Sequence, residues 1–286
     1  MTIQPFYREA GAGPAVVCLH SSASSSRQWL PLMEQLAPRY HVIAVDAWSS
    51  GKSPRWPDAK PLTLRDEVAL LEPVLARARG PVSLVGHSYG AAVALIAAME
   101  FPERINSLAL YEPVLFSVVD EQSPPPNEAD GFRDAFETSA ALLQAGDTLG
   151  AGRCFVDYWS GAGSWERMPE ARREQVAFSI AGIGGWAHAC LAEPTPLRAF
   201  SWVGAPVLFM MGKESPPSSR AVGRLLTQVL PRVQVVELAN VGHMGPVTHP
   251  DIVNGVISRF LERHRPFHQA DLRTLAASPS AAARSI

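Results

Sequence analysis

The chain has 286 residues, 47% of them hydrophobic, with 25 basic and 27 acidic side chains and a formal net charge of -2. That length and apolar content suffice for one large α/β core or two small ones. The charges are interspersed, so no basic stripe is available for phosphates and no polybasic segment for anionic lipid; nucleic acid and a membrane surface are not expected partners.

Cys18, Cys154 and Cys190 form an odd set without CxxC spacing, and Cys18 sits in an apolar run where a small buried thiol fits. Reduced cysteines and no structural zinc are expected. The N-terminal MTIQPFYREAG lacks a charged start followed by an apolar core, and no apolar run approaches the roughly 20 residues of a bilayer span. A cytoplasmic location is the default expectation, and nothing in the pattern assigns an oligomeric state.

In chain order, AVVCLH (15–20), HVIAVD (41–46), VSLVG (82–86), SLALYE (107–112), PVLFMMG (206–212) and VQVVEL (233–238) are short apolar runs rich in β-branched residues, with helical patterns between them. Near-continuous runs of this kind suit strands buried on both faces, hence a mostly parallel sheet wrapped by helices. The spacing breaks once, between Glu112 and Pro206, where helical patterns occur without a strand. This insertion opens with the proline-rich SPPPNEADG (123–131). It continues with a helix expected over 132–143 and further helical pieces around RCFVDYW (153–159) and EARREQVAFSIAGI (170–183). Trp159, Trp165, Trp186 and Trp202 lie in it; they suit a helical core, and a lid over a pocket would use the same side chains. The expected organisation is a core from 1–115 and 203–265, a helical cap from 116–202, and a tail from 266–286 whose small, low-complexity composition suits disorder.

The stretch VSLVGHSYGAA places Ser88 between Gly86 and Gly90, directly after a strand and before the helix-forming AAVALIAAM. Small residues two positions on either side let the backbone turn sharply and hold the serine Oγ out at the carboxyl end of a sheet. As a bare motif this is a turn; with strand before and helix after, it reads as a nucleophile elbow.

From this point the chain resembles the α/β-hydrolase family over roughly residues 6–264. LHSSASSSRQW is similar to the family's oxyanion loop, with His20 in place, Ser21 where a glycine is usual, and Trp29 at the expected distance. DAWSSGKS resembles the turn after the next strand, keeping Asp46, Gly51 and Ser53 but carrying Ser49 for a glycine. The resemblance implies that the backbone N–H groups of Ser22 and Tyr89 form the oxyanion hole, with the Ser22 hydroxyl as a further donor, because acyl transfer places negative charge on the former carbonyl oxygen. ANVGHMGPVTHP (239–250) resembles the histidine loop, making His243 the candidate general base. His20 and His87 are expected to brace loops, His41 to begin a strand, and His249 to precede the final helix. Asp46 is expected to brace the turn that follows it.

The base needs an acid that fixes its tautomer. In the family it most often lies three residues beyond a glycine after the penultimate strand, and here MMGKESPPSS puts Ser215 at that position. Glu112, at the end of the preceding strand, is the preferred replacement, from a place where some relatives, haloalkane dehalogenases included, supply the acid. Glu214 is the alternative, although one residue early its side chain would swing to the opposite side of an extended segment.

A serine nucleophile counts against dehalogenase and epoxide-hydrolase chemistry, which run through a carboxylate ester. The resemblance implies hydrolysis of a small or medium hydrophobic ester, carboxylesterase-like, through an acyl-serine. Lactone hydrolysis, carbon–carbon bond hydrolysis, cyanohydrin cleavage and perhydrolysis use the same triad, and fold alone does not choose among them. A non-catalytic ligand-binding protein is the reading from another class, motivated by the missing acid and by Ser21. No phosphate loop, metal-ligand spacing or dinucleotide fingerprint occurs, so no cofactor or metal is implied.

Overall fold

Seven strands form one sheet in the order β1-β3-β2-β4-β5-β6-β7. They are β1 (Tyr7–Ala10), β2 (Ala15–Leu19), β3 (His41–Val45), β4 (Val82–His87), β5 (Ile105–Tyr111), β6 (Val207–Gly212) and β7 (Val233–Leu238). This computed structural model describes residues 3–57, 60–78 and 80–266, so apart from Pro266 the expected tail lies outside the described residues. Six of the strands run parallel, and only β1 pairs antiparallel, with Tyr7 opposite Val45. Strand β1 was not expected from the sequence: YREA is short, polar and at a sheet edge, so it carries no apolar run.

The inner strands β2, β4 and β6 are buried along their whole length, which explains their unbroken hydrophobicity. The opposite edge strand β7 is largely open, with Gln234, Val235 and Glu237 exposed and only Leu238 buried. The core helices are α1 (Leu30–Leu36), α2 (Leu64–Arg77), α3 (Tyr89–Glu100), α10 (Pro217–Val229) and α12 (Pro250–Arg263), with a short α11 (Gly245–Thr248). One apolar cluster joins α1 and α12 to one face of the sheet; a larger one joins α2, α3 and α10 to the other. Helix α2 begins with a capping box: the Asp66 amide donates to Thr63 Oγ1 at 3.2 Å while the Asp66 carboxylate accepts from the Thr63 amide at 3.0 Å.

Between β5 and β6 lie α4 (Ser117–Gln122), α5 (Asp130–Gln144), α6 (Thr148–Ser160), α7 (Ser164–Arg167), α8 (Glu170–Ser179) and α9 (Ile183–Leu191), with no strand. These helices form a cap over the carboxyl ends of the strands. Trp159, Trp165 and Trp186 are buried in it, but Trp202 is 83% exposed and belongs to no core. Among the described residues no helix is long and apolar enough to cross a membrane.

Candidate active site

In the sheet register His87 stands opposite Tyr111 and Tyr111 opposite Met210, so β4, β5 and β6 end near one level. The residues that follow are therefore delivered to one edge, where ligands of parallel sheets gather. Ser88 has φ 55° and ψ -115°, a conformation that is sparsely populated for a residue with a side chain. The surrounding glycines make it feasible. A Cβ on Gly86 would lie 2.5 Å from the Ala91 Cα, and one on Gly90 would lie 2.4 Å from the Leu19 carbonyl oxygen. The spacing of the motif is thus a packing requirement, with α3 starting one residue later.

The Ser88 Oγ lies 2.9 Å from His243 Nε2, and His243 Nδ1 lies 2.6 Å from Glu112 Oε2. All three side chains are buried, at 2%, 1% and 1% exposure for Ser88, His243 and Glu112. With Nδ1–H donating to the carboxylate, Nε2 is free to accept from the serine hydroxyl. Glu112 has a positive φ of 45° and sits where β5 leaves the sheet. Its other oxygen, Oε1, accepts from the Gly212 amide at 2.6 Å and from Ser215 Oγ at 2.5 Å. Ser219 Oγ is 3.3 Å from His243 Nδ1.

The structure therefore brings Ser88, His243 and Glu112 together and leaves Glu214 apart, exposed and without a side-chain hydrogen bond to the histidine. Ser215, noted in the sequence only as the occupant of the usual acid position, instead donates to Glu112. The sequence offered no other signal for that contact.

The histidine loop is fastened from below. Tyr111 donates its hydroxyl to the Gly242 carbonyl at 2.7 Å, and a Cβ on Gly245 would fall 2.3 Å from that hydroxyl. His87 donates Nε2–H to the His243 carbonyl at 2.9 Å and accepts at Nδ1 from the Gln28 amide nitrogen at 3.1 Å. Burial and the neighbouring His243 hold the His87 pKa well below the usual imidazole range, so the ring stays neutral and both bonds persist. Gln28 Oε1 in turn accepts from the amide and hydroxyl of Ser21, which links the serine-rich loop to the histidine loop. His20 accepts from the Ala47 amide at 3.0 Å and donates to the Ser21 carbonyl at 2.6 Å. Asp46 accepts from the Ser26 and Lys52 amides, bracing its turn, and Ser49 takes a φ of 55° at the position where the resembled turn has glycine.

Ser22 and Tyr89 line a small apolar pocket together with Ser88, and among the described residues neither backbone N–H has a protein acceptor. Two unpaired donors beside the serine oxygen can receive a developing oxyanion. The Cys190 thiol lines the same pocket, but burial pushes its pKa far up and keeps it protonated. Below the elbow, Glu67 accepts from the Tyr89 hydroxyl at 3.0 Å and from the Trp48 amide at 3.1 Å. Burial pushes its carboxyl up to about 7.

The cap completes the enclosure. The Trp159 ring stacks on His243 with centroids 3.9 Å apart and planes 25° from parallel. A cavity of about 110 Å³ opens beside Ser88 and His243, walled by Phe155, Met168, Arg172 and Val176 of the cap. It adjoins an outer cleft of about 830 Å³, with which it shares four lining residues, Ala23, Ser24, Arg172 and Val247. Neither the stack nor the place of Arg172 was legible in the sequence, because helical periodicity marks a buried face without naming what it meets.

A parallel sheet with a strand-serine-helix elbow, a histidine loop after the last strand and a helical cap defines a hydrolase of the α/β class. The profile of the Alpha/beta hydrolase family matches residues 16–256. The chain belongs to that family. It is similar to a 2-(acetamidomethylene)succinate hydrolase from Mesorhizobium japonicum, 28% identical over 89% of this chain and 90% of that one. It is also similar to a pimeloyl-[acyl-carrier protein] methyl ester esterase from Xanthomonas oryzae, 29% identical over 88% of this chain and 96% of the other. An α/β hydrolase from Sphaerobacter thermophilus superposes with a TM-score of 0.67 at 27% identity, covering 87% of this chain and 95% of that structure.

Proposed function

We propose that the protein is a serine esterase that hydrolyses a small carboxylic ester through an acyl-serine intermediate. The observation that carries this reading is the buried relay from Ser88 Oγ through His243 to Glu112, with links of 2.9 and 2.6 Å. The methyl ester esterase among the relatives supports the same bond class.

In this mechanism Ser88 Oγ attacks the ester carbonyl carbon while its proton passes to His243 Nε2. Glu112 stabilises the imidazolium through Nδ1–H, and the carbonyl oxygen, now negative, is received by the Ser22 and Tyr89 amides. Collapse breaks the carbon–oxygen bond to the alcohol, which leaves with the proton from Nε2. Water then repeats the sequence on the acyl-serine, with His243 taking its proton and returning it to Ser88 as the acid departs. The neutral tautomer this requires is the one that the hydrogen bonds of His243 select.

Labelling by a fluorophosphonate probe tests activation of the serine without a known substrate. The wild type is expected to label promptly at Ser88, Ser88→Ala not at all, and Glu112→Gln far more slowly. A folded wild type that stays unlabelled would overturn the reading in favour of a ligand-binding protein.

A further inference from the structure

The cap presents one permanently charged side chain to the inner cavity. Among the described residues, Arg172 is, apart from His243, the only ionisable residue on the cavity wall, which is otherwise apolar or hydroxyl-bearing. It projects from the first turn of α8, half-buried, and its one hydrogen bond runs from Nη1 to Gln175 Oε1 at 3.3 Å. Among the described residues no carboxylate lies within salt-bridge distance of it.

Three other arginines of the cap contrast with this, whereas Arg167 is exposed and its side chain, among the described residues, bonds only Ser164 Oγ. Arg133 pairs with both Asp120 and Asp130, and Arg153 and Arg173 both approach Glu166 at 3.6 Å. Helix α8 thus turns Arg173 toward the exposed Glu166 and the adjacent Arg172 toward the cavity. Burial draws the Arg172 pKa below its ordinary range, the mark of a cation that has lost part of its hydration without gaining a counter-charge. Such a group is stabilised when an anion completes it, and the planar guanidinium matches a carboxylate through two parallel hydrogen bonds.

Position refines the inference. Arg172 lines both the inner cavity and the outer cleft, so it stands at the boundary between them, on the side of the inner cavity that faces the cleft. The remaining charged side chains of the outer cleft are Arg27, exposed on the core side, and Glu174 of α8. An inner cavity of about 110 Å³ is small against the roughly 300–1,000 Å³ of pockets for drug-sized ligands, so few atoms separate its mouth from Ser88.

We infer that the substrate is a short ester carrying a carboxylate, and that Arg172 binds this carboxylate at the cavity mouth while the ester carbonyl lies at Ser88. The inference rests on the serine esterase reading and narrows its substrate class. Arg172 is on this account a specificity-determining residue, acting on binding and not on bond cleavage.

The test compares charged esters with neutral isosteres that differ only by an amide for the carboxylate. Monomethyl glutarate against methyl 4-carbamoylbutanoate places the charge on the acyl half; acetoxyacetate against 2-acetoxyacetamide places it on the alcohol half. In the wild type, kcat/KM is expected to favour the anionic member of at least one pair by about tenfold or more, as a charge-assisted pair at a half-buried site allows. Arg172→Gln should collapse that ratio, chiefly through KM, and Arg172→Lys should keep part of it. A wild type without preference in either pair overturns the assignment, as does an Arg172→Gln enzyme that loses both members equally. Fluorophosphonate labelling of the same preparations separates the two readings. Labelling without anionic preference rejects Arg172 alone, and a folded, unlabelled wild type rejects the esterase and this inference with it.

Discussion

Ser88, Glu112 and His243 come from the core, and each is held by two or more hydrogen bonds within a frame that backbone geometry dictates. Trp159 and Arg172 come from the cap and meet the same cavity through a ring face and a guanidinium with one polar contact. The core side is overdetermined: glycines admit no Cβ, strand ends fix the level, and neutral His87 ties two loops together. The cap side is set by helix packing and by side-chain bonds, such as those of Arg133 to Asp120 and Asp130 and of Tyr158 to Ser218 at 2.6 Å, which tolerate exchange of side chains more readily. On the proposed reading, chemistry and selectivity fall to parts of the molecule that differ in how much change they can absorb.

Removing the acid should break the core side most severely. Glu112→Gln leaves an amide that can present oxygen or nitrogen to Nδ1 but no charge to the imidazolium, and kcat is expected to fall by about 10³- to 10⁴-fold. Glu214→Gln, altering an exposed side chain away from His243, should change kcat by less than about twofold. Steady-state rates on any turned-over ester check both; equal losses in the two variants would remove the distinction drawn between them.

Glu67 supplies a pH-dependent version of the same comparison. Its carboxyl titrates near 7 when folded because of burial, against 4.5 for an unburied glutamate. Between those values the unfolded chain binds fewer protons than the folded one, so raising the pH favours unfolding. This contribution should reduce stability from about pH 4.5 up to pH 7, by roughly 3 kcal/mol at most, and level off above. Urea denaturation across that range is the measurement. Glu67→Gln should flatten the component, whereas titration of the cap's exposed acids should leave it in place.

The sequence exposed the core side far better than the cap side, and the reason is physical. Buried parallel strands need unbroken apolar runs, and a sharp elbow needs small residues at fixed spacing, so β2 to β7, Ser88 and the histidine loop were all legible. Glu112 was readable as a carboxylate after a buried strand. Its bond to Ser215 was not, because no pattern ties a hydroxyl in the loop after β6 to a carboxylate at the end of β5. The short, polar β1 carries no pattern, and the cap helices show amphipathic periods that do not state which face touches His243. Trp202 carried the same composition signal as Trp159 and yet stands in solvent.

Ser215 tests how much the acid depends on its second partner. Ser215→Ala removes one donor from Glu112 Oε1 and leaves the Gly212 amide in place. A hydrogen bond to a buried carboxylate is worth roughly 1.5–3 kcal/mol, but the remaining donor retains most of the orientation, so kcat should fall by about tenfold. Fluorophosphonate labelling should slow in parallel with kcat while KM holds. A change confined to KM would mean that Ser215 acts on the pocket rather than through Glu112.

The smallest effect is expected where the two sides touch. The Trp159 ring lies 3.9 Å from that of His243, close enough for its π face to favour the imidazolium that forms as Ser88 loses its proton. Cation–π contacts of this kind contribute about 0.5–2 kcal/mol, so Trp159→Ala should slow labelling of Ser88 by roughly three- to tenfold and Trp159→Phe by about twofold. The ordering matters more than the size, because an aromatic face is what the two variants differ in. Were phenylalanine as damaging as alanine, volume and not the ring face would be the requirement. The cap would then act on the base by excluding water, and its link to the core chemistry would be steric alone.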